Sequence, residues 1–282
     1  MMKVYTPWEL NAMTLDERKA ALDSEFGRSF HVTVLQHVTW IFWARDTDKP
    51  TDILNHASAF LLDRGQGPML VTAAHVYRQY LADWDRVGPL RCQVANTVVS
   101  DLRRHLIACG NLGVAPGEPE PDADIATFRL SRDATQRIGK KPILAPPETW
   151  PPPPKPGEQV MFGGFPGQER IMLGPGEISF GFHSGMSSAT SVTQHQITQR
   201  YEREFMIDQH GNGLPPKGYG LGGISGGPLL VPNYRDGAWV WRLGGVISQA
   251  TEERPPEEVI FEMVVAHRAE YIQPDGTLAK SL

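Results

Sequence analysis

Residues 221–228 read Leu-Gly-Gly-Ile-Ser-Gly-Gly-Pro, a serine set in a turn of four glycines. So little side-chain bulk lets the backbone fold tightly around Ser225 and leaves its hydroxyl open to a partner. Two other segments match it in chemistry. Met69-Leu-Val-Thr-Ala-Ala-His75-Val76 is a β-type run and two small residues, followed by a histidine at the start of a short helix over Val76–Ala82. Ala123-Asp124-Ile125-Ala126 sets an acid at the head of an apolar strand. A lone histidine reads as a core residue, a lone acid as a strand cap and a lone serine as a turn former; the three together read otherwise.

Working outward, residues 7–27 carry a helical pattern: Thr14 with Glu17 fits a capping box, and Leu15, Leu22 and Phe26 share one side of a helix. From about residue 30 the texture changes to short runs rich in Val, Ile, Thr and aromatics: His31–Ala44, Ala57–Leu62, Met69–Thr72, Gln93–Val99 and Ile125–Leu130. Residues 145–157 (APPETWPPPPKPG) hold seven prolines. Such a run favours polyproline II and excludes a central strand; lying between two β-rich halves, it reads as a stiff spacer rather than an SH3-type ligand. Strand texture resumes at Glu158–Phe162, Gly176–Phe182, Tyr201–Asp208, Pro228–Val231, Trp239–Ser248 and Val259–Ala266, with a short closing helix over His267–Tyr271. Many short strands with little helix between them predict an all-β barrel or sandwich.

The three segments resemble the fingerprints of the trypsin/chymotrypsin superfamily of serine proteases, T-A-A-H, D-I-A and G-x-S-G-G-P, in the family's order. Their spacings are close to what two six-stranded barrels require. The resemblance spans roughly residues 30–272 and implies a fold of two six-stranded antiparallel β-barrels. The expected organisation is an N-terminal helical extension (1–29), a first barrel with His75 and Asp124 (30–144), the Pro-rich linker (145–157), and a second barrel with Ser225 and the C-terminal segment (158–282). An α/β-hydrolase, the fold of many esterases, would order its triad Ser, Asp, His; this chain runs His, Asp, Ser.

The chemistry explains the residue types. A serine hydroxyl is a poor nucleophile at neutral pH, so a base must take its proton as it attacks a carbonyl, and histidine titrates in the right range. A carboxylate behind the imidazole holds its tautomer and stabilises the imidazolium. The resemblance assigns these roles to Ser225, His75 and Asp124. Asp122 is a rival on the same strand face, but the family pattern sets the acid directly before Ile-Ala. The resemblance also assigns the oxyanion hole to the backbone N–H groups of Gly223 and Ser225. It implies that a substrate strand pairs with Ser248-Gln249-Ala250, and that Tyr219 lies at the floor of the specificity pocket. A tyrosine there supplies no anion for a Lys/Arg side chain.

Two departures narrow the branch. Ile224 stands where animal digestive relatives carry the Asp that receives a new N-terminus, so conversion by N-terminal cleavage is not expected. Val76 stands where they carry a disulfide cysteine. Together with Ser-Ala-Phe-Leu-Leu at 58–62, these look more like bacterial intracellular or HtrA/glutamyl-endopeptidase-like members.

Composition bounds the remaining classes. A net charge of −5, with basic runs no longer than pairs such as Arg103-Arg104 and Lys140-Lys141, argues against a nucleic-acid surface. No stretch of 18 apolar residues predicts a membrane span, and Met1–Leu10 shows no apolar signal-peptide core. Cys92 and Cys109, the only cysteines, read as reduced thiols, so a cytoplasmic location is expected. The Gly163-Gly164-Phe-Pro-Gly167 cluster lacks P-loop spacing and reads as the turn after the second barrel's first strand. Histidines 31, 37, 56, 105, 183, 195, 210 and 267 show no metal-site spacing, so no metal or cofactor is expected. The expected partners are a protein or peptide substrate and a regulatory protein or effector docking on the N-terminal helix or the linker. The alternative reading is a catalytically inert scaffold of protease fold that binds proteins.

Overall fold

The computed structural model describes residues 3–46, 53–110, 123–145, 153–174, 177–201, 215–251, 255 and 262–280. Asp122, most of the Pro-rich segment and the expected strand from residue 202 to 208 lie outside the described residues.

The chain opens with three helices, α1 (Pro7–Ala12), α2 (Leu15–Asp23) and α3 (Glu25–His37). Reciprocal Thr–Glu capping boxes start the first two, Thr6 with Glu9 and the expected Thr14 with Glu17. Each satisfies two backbone donors that the helix leaves without partners. The helical pattern expected to end near residue 29 continues to His37, which corrects the strand expected from His31. Val32, Thr33 and Val34 favour strands, but Phe26, Phe30 and Val34 recur every fourth residue and form one buried stripe. The Phe30 ring packs on Trp239 and Trp241, at centroid distances of 5.5 and 5.0 Å. Burying that stripe outweighs the few tenths of a kcal/mol per residue by which β-branching disfavours helix.

The first sheet contains β1 (Val38–Arg45), β2 (Ile53–Asp63), β3 (Pro68–Thr72), β4 (Leu90–Val94), β5 (Thr97–Val99), β6 (Leu106–Cys109), β7 (Ala126–Phe128) and β8 (Ile143–Leu144), with α4 (Ala74–Val87) and α5 (Arg132–Ile138) inserted. Its order is β5-β4-β1-β2-β3-β7-β6, with β8 paired to β2. The expected strand over Gln93–Val99 is thus two strands around a turn at Ala95, whose φ is +47°. The sheet is an open path of strands among the described residues, where a closed barrel was expected.

The second half holds β9 (Gln159–Gly164), the separate hairpin of β10 (Arg170–Gly174) and β11 (Glu177–Phe180), β12 (His183–Val192), β13 (Gln196–Arg200), β14 (Pro228–Arg235), β15 (Ala238–Ala250) and β16 (Met263–Arg268). Six of these close a barrel in the order β12-β13-β16-β15-β14-β9. The chain is therefore mostly β, with a closed six-stranded barrel and, among the described residues, a first sheet that stays open. The closing helix is reduced to a single 3-10 turn, Ala269–Tyr271, because β16 runs through to Arg268.

The two halves share one core. Phe26 and Phe30 from α3, Phe60 and Val71 from the first sheet, and Met161, Leu230 and Val246 from the barrel belong to the same buried cluster. The chain after the 3-10 turn crosses back to the first sheet: Thr127 Oγ1 donates to the Gly276 carbonyl and the Arg64 guanidinium to that of Ile272. Both cysteines are free thiols, and burial pushes each up to about 12, far from the thiolate needed for reactivity. No helix among the described residues is long and apolar enough to cross a membrane.

Candidate active site

His75 is the second residue of α4, immediately after the buried end of β3. Ala73 caps that helix without a side-chain hydrogen bond, so the first turn has unsatisfied N–H donors. Asp124 supplies the missing acceptor from across the sheet. Its Oδ1 accepts the His75 backbone N–H at 2.8 Å, and its Oδ2 meets His75 Nδ1 at 2.6 Å. One carboxylate therefore fixes both the main chain and the ring of the histidine. Arg78, one turn further along α4, lies 3.5 Å from Asp124 Oδ1 and also donates to the Gly110 carbonyl at 3.0 Å.

Burial works to raise the Asp124 pKa, but the bonds and charge of His75, helped by Arg78, outweigh it and hold the carboxyl below its ordinary value. An ionised carboxylate only accepts, so Nδ1 carries the ring proton and donates it. Neutral His75 thus keeps its lone pair on Nε2. The imidazole is 40% exposed and the carboxylate 14%, so the free face of the ring meets solvent while its anchor does not.

Ser225 lies in the Leu221–Pro228 turn of the second half. Gly223 and Gly226 have φ of +103° and +85°, a backbone region that side chains strain against. Space is as tight as the dihedral: a Cβ on Gly223 would stand 2.8 Å from the Phe165 carbonyl oxygen, and one on Gly226 would overlap Thr72 Oγ1 and the Ser58 carbonyl. Ile224 donates to Leu221 and Gly227 to Ile224, while Gly226 donates to Ile247 of β15 and Ile247 back to Gly227. The Gly223 and Ser225 N–H groups, expected as the oxyanion donors, meet no acceptor among the described residues.

The turn is pinned to the first sheet by a residue the sequence reading did not single out, Ser58 of β2. Its N–H donates to the Ser225 carbonyl at 3.0 Å, and its Oγ donates to the Gly223 carbonyl at 2.9 Å. The same Oγ accepts the Phe165 N–H at 2.9 Å, and Thr72 Oγ1 donates to the Ser58 carbonyl at 2.7 Å. The Ser225 turn is therefore bolted to β2, and Ser58 of β2 in turn to the end of β3, three residues before His75. No hydrogen bond joins His75 to Ser225 among the described residues.

The expected substrate-binding residues are placed as follows. Ser248, Gln249 and Ala250 form the end of β15, with Gln249 opposite Val265 of β16 and a bulge after Ile247. Ser248 Oγ donates to the Val265 carbonyl at 3.3 Å. Between Ile247 and Thr251 the other edge of β15 has no ladder partner among the described residues, and Leu221 donates to the Thr251 carbonyl at 2.9 Å. The segment before Ser225 thus runs beside an open strand edge. Tyr219 packs with Leu221, Ile224, Ile247 and Val264, and its hydroxyl donates to Glu169 Oε1 at 2.6 Å. The anion at Tyr219 comes from the turn after β9, which no local spacing reveals. Burial, reinforced by that carboxylate, raises the Tyr219 pKa, so the phenol stays neutral.

Comparison with known proteins finds no matching family model and no curated protein of similar sequence. Solved structures do match. One is a thermostable serine protease, AL20, from an extremophilic microorganism (13% identity, covering 83% of this chain and 91% of that one, TM-score 0.44). Another is neuropsin, a serine protease expressed in the limbic system of mouse brain (14% identity, 81% and 88%, TM-score 0.41).

Proposed function

We propose that this chain is a serine endopeptidase that hydrolyses peptide bonds through an acyl-enzyme at Ser225. The observation that carries the reading is the pair of hydrogen bonds that His75 donates to Asp124, beside a glycine turn clamped onto the same sheet. In the proposed cycle His75 Nε2 takes the Ser225 proton as Oγ attacks the substrate carbonyl. The Gly223 and Ser225 N–H groups bind the oxyanion, and the imidazolium, stabilised by Asp124, protonates the leaving amine. Water then repeats the sequence to free the acid. The open edge at Ser248–Ala250 would pair with the substrate strand, with Tyr219 in the adjoining pocket. The contact between His75 and Ser225 forms as substrate closes the site, since catalytic hydrogen bonds often tighten only in the complex.

Within this reading Ile224 and Val76 support a relation to bacterial, cytoplasmic members of the superfamily, and we propose control by a protein partner or effector. A second reading, an inert binding scaffold of protease fold, is favoured by the missing bond between His75 and Ser225. Incubating wild type and Ser225→Ala with a proteome and mapping new N-termini separates them. The peptidase reading predicts cleavages made only by the wild type; identical N-termini from both proteins remove it.

A further inference from the structure

A cavity of about 450 Å³ lies where the N-terminal helices meet the outside of the closed barrel. Leu10 of α1, Arg18 and Leu22 of α2 and Phe30 of α3 form one wall, and Trp239 and Arg242 of β15 the other. The lining mixes apolar side chains with polar ones, among them Gln159, Asn233 and the two arginines. Arg242 Nε is buried without a hydrogen-bond partner among the described residues, and Arg18 uses its own Nε on the Leu10 carbonyl at 3.1 Å. The lining carries one acid, the exposed Glu158 at the mouth, whose Oε2 already accepts the Lys155 N–H at 3.0 Å. Burial holds the Arg242 guanidinium below its ordinary pKa; Glu158 opposes this and Arg235 adds to it. Within a barrel wall a leucine or valine would cost less than an arginine with an unpaired donor, so the arginine needs an account.

We propose that this cavity binds a small amphipathic monoanion, its carboxylate held by Arg242 and Arg18 and its apolar body packed on Leu22, Phe30 and Trp239. Its size falls in the range of ligand pockets, and its mixed lining offers both an apolar surface and polar groups that fix orientation. The terminal nitrogens of Arg242, which make no hydrogen bond among the described residues, can receive the carboxylate, and a planar guanidinium is suited to it. Because α1–α3 form one wall, an occupant would tie them to the barrel and raise the stability of the whole chain. The proposal does not depend on peptidase activity, and the Ser225→Ala protein serves for its test.

The test is thermal unfolding of Ser225→Ala with octanoate or with 1-octanol at equal concentration. At about ten times its Kd, octanoate is expected to raise Tm by about 2 °C or more, with 1-octanol giving a smaller shift or none. Arg242→Gln should abolish the octanoate response. Leu22→Trp, which fills the apolar end and leaves both arginines in place, should weaken it at least tenfold by calorimetric titration; this variant decides if Arg242→Gln fails to fold. Equal shifts from acid and alcohol, no octanoate shift, or a response that survives Leu22→Trp would overturn the proposal.

Discussion

Asp124 performs two tasks that substitution can separate. Its Oδ1 caps the start of α4 through the His75 N–H, and its Oδ2 fixes the imidazole. Asn keeps a carbonyl for the first task but presents an N–H₂ to Nδ1, which turns the ring to the wrong tautomer. Asp124→Asn is therefore expected to fold with near wild-type Tm and to lose about 10⁴ in kcat on a peptide substrate. A loss under tenfold would remove Asp124 from the mechanism. At this scale the pairing of His75 with Asp124 was legible, because each sits in a short segment whose neighbours declare its setting. Ser58 and Glu169 were not, because what defines them (Gly223 and Phe165 for one, Tyr219 for the other) lies far along the chain.

The helix α3 shows how an element can mislead. Its second half has the β-branched composition of a strand, and the four-residue recurrence of Phe26, Phe30 and Val34 decides its state only once Trp239 and Trp241 are there to cover it. The strands were read more securely, because their alternation needs only a buried face: Pro68–Thr72 and Pro228–Arg235 lie where the texture placed them. The same helix carries a pH dependence. His31 is buried, with Nδ1 on Ser184 Oγ, and burial lowers its pKa from 6.5 to about 4. Between those values the unfolded chain takes up a proton that the folded chain refuses, so stability falls as pH drops through that window. His56, lowered to about 4 by burial and by Arg170, acts in the same direction. His31→Gln should shrink the fall in Tm between about pH 7 and pH 4.5, leaving the shares due to His56 and to His37, whose pKa burial also lowers. An unchanged slope in that variant would show that His31 is already charged in the folded protein.

Across the whole molecule, the candidate site depends on two halves, a closed barrel and a sheet that is open among the described residues, being held in register. The closed second barrel follows the fold that the resemblance implied, whereas the open path of the first sheet among the described residues was not legible, since it depends on which distant edges pair. Ser58 is the clasp between the halves. Ser58→Ala would leave the buried Phe165 N–H and the Gly223 carbonyl short of a partner, at a cost of about 2 kcal/mol, or roughly 4–8 °C in Tm. A freed turn should also lower kcat about tenfold or more with little change in KM, since one misplaced oxyanion donor typically costs about 10²–10³. A Tm loss with unchanged kcat would make Ser58 purely structural. The most direct measurement is the intact mass of the protein after reaction with a fluorophosphonate, followed by peptide mapping. A single adduct on Ser225, lost in both Ser225→Ala and His75→Ala, is the predicted result. A wild-type protein that stays unlabelled, or labels at another residue, would contradict the account.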